Sequence, residues 1–446
     1  MFSQTYSFNR LLLYDFCSNK DFKEVGLTEF YNLLVNQEFK FTTDSRTISE
    51  GCIFFALKGE HFNGNTFANT ALDQGAAYAV VDEQVGDDDD RFIQVDDVLS
   101  YMQEVAHFHR KCYDIPILGI CGSNGKTTTK NLIFNVVSKK YKTHCTQGNF
   151  NNHIGVPITL LQMAQDTEIA IIELGTNNPG EIADLCKIAD PNYGLITNIG
   201  KEHLEGFGTL EAVAKEESEI YHYLLKNKGT AFINKDDEWL TRMGRSLENK
   251  VTFTKQDCEI TSLVPDISFR YKYVDFISPL MGDYNLDNIL TAISVGEYLG
   301  VDLKDIRDGI AEYQPDNNRS QLIQKGTNSI LLDAYNANPS SMQVAIRNFA
   351  KMPQIQKVLI LGDMFEMGPT ANQEHDELLQ WCTQFGFTKI YTLGDHFAAI
   401  SVNSGISTPA SMEQLGGEIK TVDYQDTAFL IKGSRGMKME RVIEYL

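Results

Sequence analysis

The stretch Ile117-Leu118-Gly119-Ile120-Cys121-Gly122-Ser123-Asn124-Gly125-Lys126-Thr127-Thr128 decides the reading of this chain. An apolar run reads as a buried strand over Ile117 to Ile120, a glycine-rich turn follows, and a helix is expected to begin near Lys126. Backbone N–H groups in such a turn, together with a helix N-terminus, form a concave site for phosphate. Lys126 then reaches the β- and γ-phosphates of ATP, and the Thr127 hydroxyl is placed to ligate Mg²⁺. A strict phosphate-loop pattern has glycine where this chain has Ile120, so the generic motif is matched only in part. A chance Gly-Lys-Thr in a turn is the plain alternative; the strand before it and the helix after it argue against that.

Working outward, short apolar strands at Cys52 to Leu57, Tyr78 to Val81 and Phe92 to Val95 alternate with glycine turns and helical stretches, and end near Asp114-Ile115-Pro116. Strands at Ile169 to Leu174, Tyr193 to Thr197 and Ala231 to Asn234 continue from the phosphate loop in a βα alternation, the pattern of a mostly parallel sheet covered on both faces. After Pro315 a further α/β alternation places strands at Ser329 to Leu332, Val358 to Leu361, Lys389 to Leu393 and Ala428 to Ile431, with its own doubly wound pattern. The expected fold is therefore α/β in three domains, residues 1–113, 114–313 and 314–446.

At 446 residues the chain is long enough for several cores. Its formal charge of -21 excludes a broad nucleic-acid surface, which needs clustered Lys and Arg. No apolar run approaches a bilayer span, so no membrane insertion is expected. Met1 to Cys17 has neither a basic start nor a small-residue cleavage site, and the eight cysteines form no C-x-x-C pair. A cytoplasmic protein with reduced thiols follows as the expectation. The acidic run Asp87 to Asp90 reads as a solvated loop.

Two further positions share the expected edge of the central sheet. Strand Ile169 to Ile172 delivers Glu173 at its C-terminal end, where open α/β sheets bind ligands. Strand Tyr193 to Thr197 delivers Asn198 and then Gly200-Lys201-Glu202-His203. A carboxylate and an imidazole beside the phosphate loop could hold a second Mg²⁺, with His203 as the nitrogen ligand.

Together these segments resemble the Mur ligases. The resemblance begins near residue 42 and carries through Asp44-Ser45-Arg46, Gly51 to Gly59 with Asn63-Gly64, the phosphate loop without its first glycine, Gly148-Asn149-Phe150-Asn151-Asn152, Glu173-Leu174-Gly175 and His203 to Gly208. Asp333 to Met342, Leu361-Gly362-Asp363-Met364 with Glu366-Met367-Gly368, and Lys432-Gly433-Ser434-Arg435 are similar to the branch that adds D-alanyl-D-alanine to UDP-MurNAc-tripeptide. The resemblance implies an ATP- and Mg²⁺-dependent ligase working through an acyl phosphate, acting as a monomer on those two small substrates. It implies that Ser45, Arg46, Lys58, Asn63, Asn149 and Asn152 hold the UDP-substrate. Gly122, Ser123, Asn124, Gly125, Lys126, Thr127 and Thr128 then hold ATP, with Asn288 at adenine and Arg319 and Asp333 on the nucleotide. Tyr335, Asn336 and Asn338 are placed near the dipeptide, although Asn338 before Pro339 also reads simply as a helix N-cap.

Lys126, Glu173, His203 and Glu217 are the implied catalytic set, and Thr127, Glu173, His203 and Glu217 the metal set. Many Mur ligases carry a carbamylated lysine four residues before an aromatic; counting back from Tyr221 lands on Glu217, with Lys215 as the competing position. A plain solvated helix face through Glu216, Glu217 and Glu219 is the third reading. Tyr284 stands where the family commonly has histidine. Rival activities are another carboxylate–amine ligase, including a folylpolyglutamate-like one, and a regulatory phosphate-loop ATPase.

Overall fold

Residues 26–86, 89–315, 318–400 and 405–446 are described by a computed structural model. Met1 to Cys17, the first half of the Asp87–Asp90 run and positions 316–317 lie outside the described residues. Contacts divide the chain into two compact units, Met1–Val105 and Ala106–Leu446. In the first, four parallel strands lie in the order Phe41–Thr42, Ile53–Phe55, Tyr78–Val81, Phe92–Gln94. Ile53–Phe55 is buried throughout because its sheet is covered on both faces: Phe54 packs with Ala68, Ala71 and Leu72, and Phe55 meets Phe30 edge-on.

The second unit contains two six-stranded sheets. The one carrying the phosphate loop is parallel throughout, in the order Lys250–Phe253, Thr230–Asn234, Tyr193–Ile196, Ile117–Cys121, Ile169–Glu173, Thr143–Cys145. Ile117–Cys121 and Ile169–Glu173 are each buried at all their positions. That explains why the sequence shows unbroken apolar runs and no alternation. The chain builds first to one side of Ile117–Cys121 and then to the other. The crevice for a ligand therefore opens at the C-terminal ends of these middle strands. Helix Lys126–Val137 lies over the sheet and packs Leu132, Ile133 and Val136 with Leu286, Ile289 and Ile293 of helix Asp283–Tyr298.

The other sheet runs Gln321–Lys325, Asn328–Asp333, Thr427–Lys432, Gln356–Gly362, Lys389–Leu393, Ile406–Ser407, with only the first pair antiparallel. Helix Pro339–Ala350 leaves this sheet behind a capping box. The Ser341 N–H donates to Asn338 Oδ1 at 2.8 Å, and the Asn338 N–H donates to Ser341 Oγ at 3.0 Å.

A three-stranded antiparallel sheet, Cys258–Ser262, Ile267–Tyr271 and Val274–Ser278, corrects the expectation of a simple βα alternation through the central region. Phe269 and Phe276 face each other across it and stack at 5.1 Å, sealing one face against the core. No helix among the described residues is long and apolar enough to cross a membrane, and the seven described cysteines are free.

Candidate active site

Gly122 makes the turn out of the strand at φ +118, and a Cβ there would sit 2.3 Å from Thr197 Oγ1. Only glycine fits both the angle and the space. The loop is then tied to the neighbouring strand end. The Ser123 N–H donates to the Asn198 carbonyl at 3.0 Å, the Asn124 N–H to Asn198 Oδ1 at 3.2 Å, and Ser123 Oγ accepts from the Gly200 N–H at 2.8 Å. The Gly122 N–H is spent on Glu217 Oε2 at 2.7 Å. The N–H groups of Gly122, Ser123 and Asn124 are thus committed to protein. Phosphate is left with the Gly125 N–H and the first N–H groups of helix Lys126–Val137, which have no intrahelical partner.

Around Lys126 stand three buried carboxylates. Glu173, Glu202 and Glu217 are 2%, 3% and 0% exposed, and the Lys126 ammonium is 3.7 Å from Glu202 Oε2. Burial alone pulls the Lys126 pKa down, but Glu202, Glu217 and Glu173 outweigh it and hold the ammonium protonated. Burial, and then Glu202, push the Glu217 carboxyl up to about 8, with Lys126 acting in the opposite sense. Glu173 accepts from Thr127 Oγ1 at 3.2 Å and from Asn151 Nδ2 at 2.9 Å, and its backbone N–H donates to Thr146 Oγ1. Lys130 lies 3.9 Å from its other oxygen. His203, at φ +43, caps the short helix Leu204–Phe207 and lies 3.8 Å from Glu202.

These residues fit a magnesium ion. Oε2 of Glu173, Oε1 of Glu202 and Oε1 of Glu217 are buried with no hydrogen-bond partner among the described residues. Buried carboxyl oxygens without donors are what a hard cation satisfies, and its charge would hold Glu217 ionised. No three His, Cys, Asp or Glu side chains among the described residues form a ready-made cage. Magnesium needs none, since it is held by one or two carboxylates and completed by substrate phosphates and water.

Glu216 and Glu217 are both buried, which overturns the reading of a solvated face for them; Glu219 keeps partial exposure beside His222. Glu216 accepts the N–H groups of Gly180 at 2.7 Å and Ile182 at 2.8 Å and so holds the start of helix Glu181–Ala189. Lys215, the competing position, is exposed two residues back along the helix, so the described register favours Glu217.

Asn288 lies beneath the loop and not in the open: Thr129 Oγ1 donates to it at 3.0 Å, it donates to Asn285, and a Cβ on Gly125 would touch it at 2.9 Å. The Arg319 guanidinium stacks 3.6 Å from the Tyr335 ring centre, with its buried Nε lacking a hydrogen-bond partner among the described residues. Asp333 is paired with Lys432 at 2.6 Å, and Lys432 also donates to the Asn336 carbonyl at 3.1 Å. Tyr284, at the position where histidine is common, shares a hydrogen bond with Ser320. The Asn336 side chain is exposed, whereas Asn338 is buried and donates to Asn124 Oδ1 of the phosphate loop at 3.0 Å.

Ser45, Arg46, Lys58 and Asn63 belong to the first unit, Asn149 and Asn152 to the second. Arg46 is paired with Asp44, Lys58 with Asp82 and Glu83, and Asn63 also with Glu83. Asn149 is exposed, and Asn152 accepts the N–H groups of Ile154 and Gly155 at the start of helix Gly155–Leu161.

Sequence reasoning missed Glu202, Lys130, Lys432 and Glu366, whose side chain lies 2.6 Å from His203 Nδ1. Glu202 had one available signal: it adjoins His203 in the loop after a sheet strand. Adjacency alone does not tell which of two neighbours turns inward.

Three family models match the chain in order: "Mur ligase family, catalytic domain" over residues 40–110, "Mur ligase middle domain" over 120–296, and "Mur ligase, glutamate ligase domain" over 318–442. The chain is similar to the UDP-N-acetylmuramoyl-tripeptide–D-alanyl-D-alanine ligases of Bacillus subtilis and Escherichia coli. Identity is 33% and 34%, each over 91% of this chain, covering 92% and 93% of those proteins. Among solved structures it resembles MurF of Acinetobacter baumannii, with a TM-score of 0.83 and 29% identity over 91% of this chain and 92% of that one. It also resembles the MurF ligase of Thermotoga maritima in complex with ADP, with a TM-score of 0.81 and 28% identity over 91% and 96%.

Proposed function

The chain belongs to the Mur ligase family, and from that premise we propose how its residues perform the family's reaction. The activity is the ATP-dependent joining of D-alanyl-D-alanine to UDP-MurNAc-tripeptide in peptidoglycan synthesis. The observation that carries the site assignment is the gathering of Lys126, Glu173, Glu202, His203 and Glu217 around the phosphate loop at the open edge of the parallel sheet.

The terminal carboxylate of the tripeptide attacks the γ-phosphorus of ATP, and ADP leaves. The resulting acyl phosphate is attacked at its acyl carbon by the uncharged amine of the dipeptide, an amide bond forms, phosphate departs with the electrons of the broken C–O bond, and the proton lost from nitrogen passes to solvent. Lys126 stays protonated through this sequence and balances charge on the transferring phosphoryl group, while the helix N-terminus holds the phosphate oxygens. No protein nucleophile is needed. Thr127, Glu173, His203 and Glu217 are the residues that would hold Mg²⁺, which supplies further charge neutralisation on the phosphates.

Glu217 takes the position that a carbamylated lysine occupies in many Mur ligases, because a carboxylate and a carbamate present the same pair of anionic oxygens. The support is its complete burial against the loop, bonded to the Gly122 N–H. Asn338 holds the phosphate loop to helix Pro339–Ala350, and Arg319, stacked on Tyr335, serves the nucleotide. Ser45, Arg46, Lys58, Asn63, Asn149 and Asn152 serve the UDP-substrate, with Lys58 and Asn63 exchanging their carboxylate partners for it. Residues 1–113, 114–313 and 314–446 act as substrate, ATP and dipeptide domains of a cytoplasmic monomer.

Phosphate release tests the reading. It is expected only when ATP, Mg²⁺, UDP-MurNAc-tripeptide and D-Ala-D-Ala are all present. Sustained release with ATP alone, characteristic of a regulatory ATPase, would refute it.

A further inference from the structure

His203 is gripped from outside its own sheet. Segment Phe365 to Gly368 follows strand Gln356–Gly362 of the second six-stranded sheet and lies directly on the loop that begins helix Leu204–Phe207. The Glu205 N–H donates to the Glu366 carbonyl at 3.1 Å. A Cβ on Gly368, which adopts φ +55, would lie 3.1 Å from Glu205 Cα and crowd that backbone. Leu204 is buried in the core of that second sheet with Met281, Met364 and Met367. Glu366 itself adopts φ +62, unusual for a side chain of its size. This backbone arrangement carries its carboxylate to 2.6 Å from His203 Nδ1.

A carboxylate only accepts, so the proton of that hydrogen bond sits on Nδ1, and in the neutral ring Nε2 is then the nitrogen that offers a lone pair. Nε2 faces Glu202 at 3.8 Å, inside the cluster around Lys126. Glu366 is half exposed, so the pair contributes little to overall stability. Its effect is on which nitrogen His203 offers and in what direction.

We propose that Glu366 is a positioning residue: reaching from the second sheet, it fixes the tautomer and ring direction of His203, so that the cation site is complete only while the two sheets are packed together. This rests on His203 belonging to the Mg²⁺ site. The consequence is a coupling in which Mg²⁺–nucleotide binding favours the packed arrangement, and the packed arrangement favours Mg²⁺ binding, by the same factor.

The test is calorimetric titration of ADP into the full-length protein at a series of Mg²⁺ concentrations and with the metal chelated. For E366A, the Mg²⁺ concentration giving half of the metal-dependent gain in ADP affinity is expected to rise about tenfold, the effect typical of removing a partner behind a metal-binding histidine. Metal-free ADP binding should be unchanged, which also reports an intact fold. E366Q, whose amide oxygen still accepts from Nδ1–H, should stay within about threefold of wild type. Glu374 pairs with Lys201 at 2.6 Å across the same seam without touching His203, so E374A, which weakens the packing alone, should move the Mg²⁺ requirement clearly less than E366A does.

An unchanged requirement in E366A, an equal shift in E374A, or E366Q falling as far as E366A would each overturn the inference. H203A separates it from the reading beneath it. If H203A leaves the Mg²⁺ requirement unchanged, the metal site itself is misassigned. If H203A raises the requirement while E366A does not, only the role of Glu366 fails.

Discussion

Replacing Gly122 by alanine should disable ATP use more than it disables folding. The added Cβ would lie 2.3 Å from Thr197 Oγ1, 2.6 Å from Thr197 N and 3.2 Å from Asn198 N. The hydroxyl can rotate away, but the two backbone nitrogens end the strand that pairs with Ile117–Cys121 and cannot yield alone. Relief requires the loop to move by about 1 Å, and the φ of +118 adds its own strain for any L side chain. That movement also stretches the 2.7 Å bond from the Gly122 N–H to Glu217.

Overpacking of this kind costs about 1–3 kcal/mol of stability, tolerable for a unit of this size. A 1 Å displacement of positioning groups costs about 100-fold in rate, or about 2.7 kcal/mol of transition-state stabilisation. The assay is steady-state phosphate release with all substrates present, alongside urea unfolding. A folded G122A protein should show kcat/KM reduced at least about 100-fold. A folded variant within about threefold of wild type would mean that the loop's exact placement is not used in phosphoryl transfer, and the reasoning fails.

Glu217 working as an unmodified carboxylate implies that bicarbonate has no effect on the wild-type rate in CO₂-depleted buffer, and that E217Q raises the Mg²⁺ requirement about 10-fold or more; clear stimulation of wild type by bicarbonate would count against it. Asn338 caps its helix and bonds Asn124, so N338A should destabilise the second unit by about 2 kcal/mol, one part from the cap and one from the hydrogen bond. N338D, which keeps the cap and loses the amide donor, should recover about half of that in urea unfolding. Equal losses in the two variants would show that the cap contributes nothing.

Strands buried on both faces were legible because burial leaves a mostly apolar run: Tyr78–Val81 and Lys389–Leu393 begin and end where the sequence places them, and helix Lys126–Val137 starts at the lysine itself. Asn338-Pro339 announced a helix start by side-chain chemistry alone. The antiparallel sheet from Cys258 to Ser278 escaped because its alternation of Ile267 and Phe269 with polar neighbours is short.

At the site, Glu173 and Lys126 were readable from their places at strand and loop ends. Glu217 was separated from Glu216 only by its distance from Tyr221; that Glu216 holds a helix start and Glu217 the phosphate loop is decided by packing. Glu202 is buried beside His203 at φ +43, a backbone angle the sequence does not announce, and the grip of Glu366 on His203 is made by tertiary packing between two sheets. The side chain of Asn288, expected at adenine, bonds Thr129 and Asn285 beneath the loop.

The destination of the γ-phosphoryl group separates a ligase from an ATPase most directly. UDP-MurNAc-tripeptide labelled with ¹⁸O in its terminal carboxylate should, on turnover with ATP and D-Ala-D-Ala, deliver one ¹⁸O into the released phosphate, since the acyl C–O bond is the one that breaks. Phosphate carrying no label from the carboxylate would mean that water, not the substrate, receives the phosphoryl group, and would contradict the account.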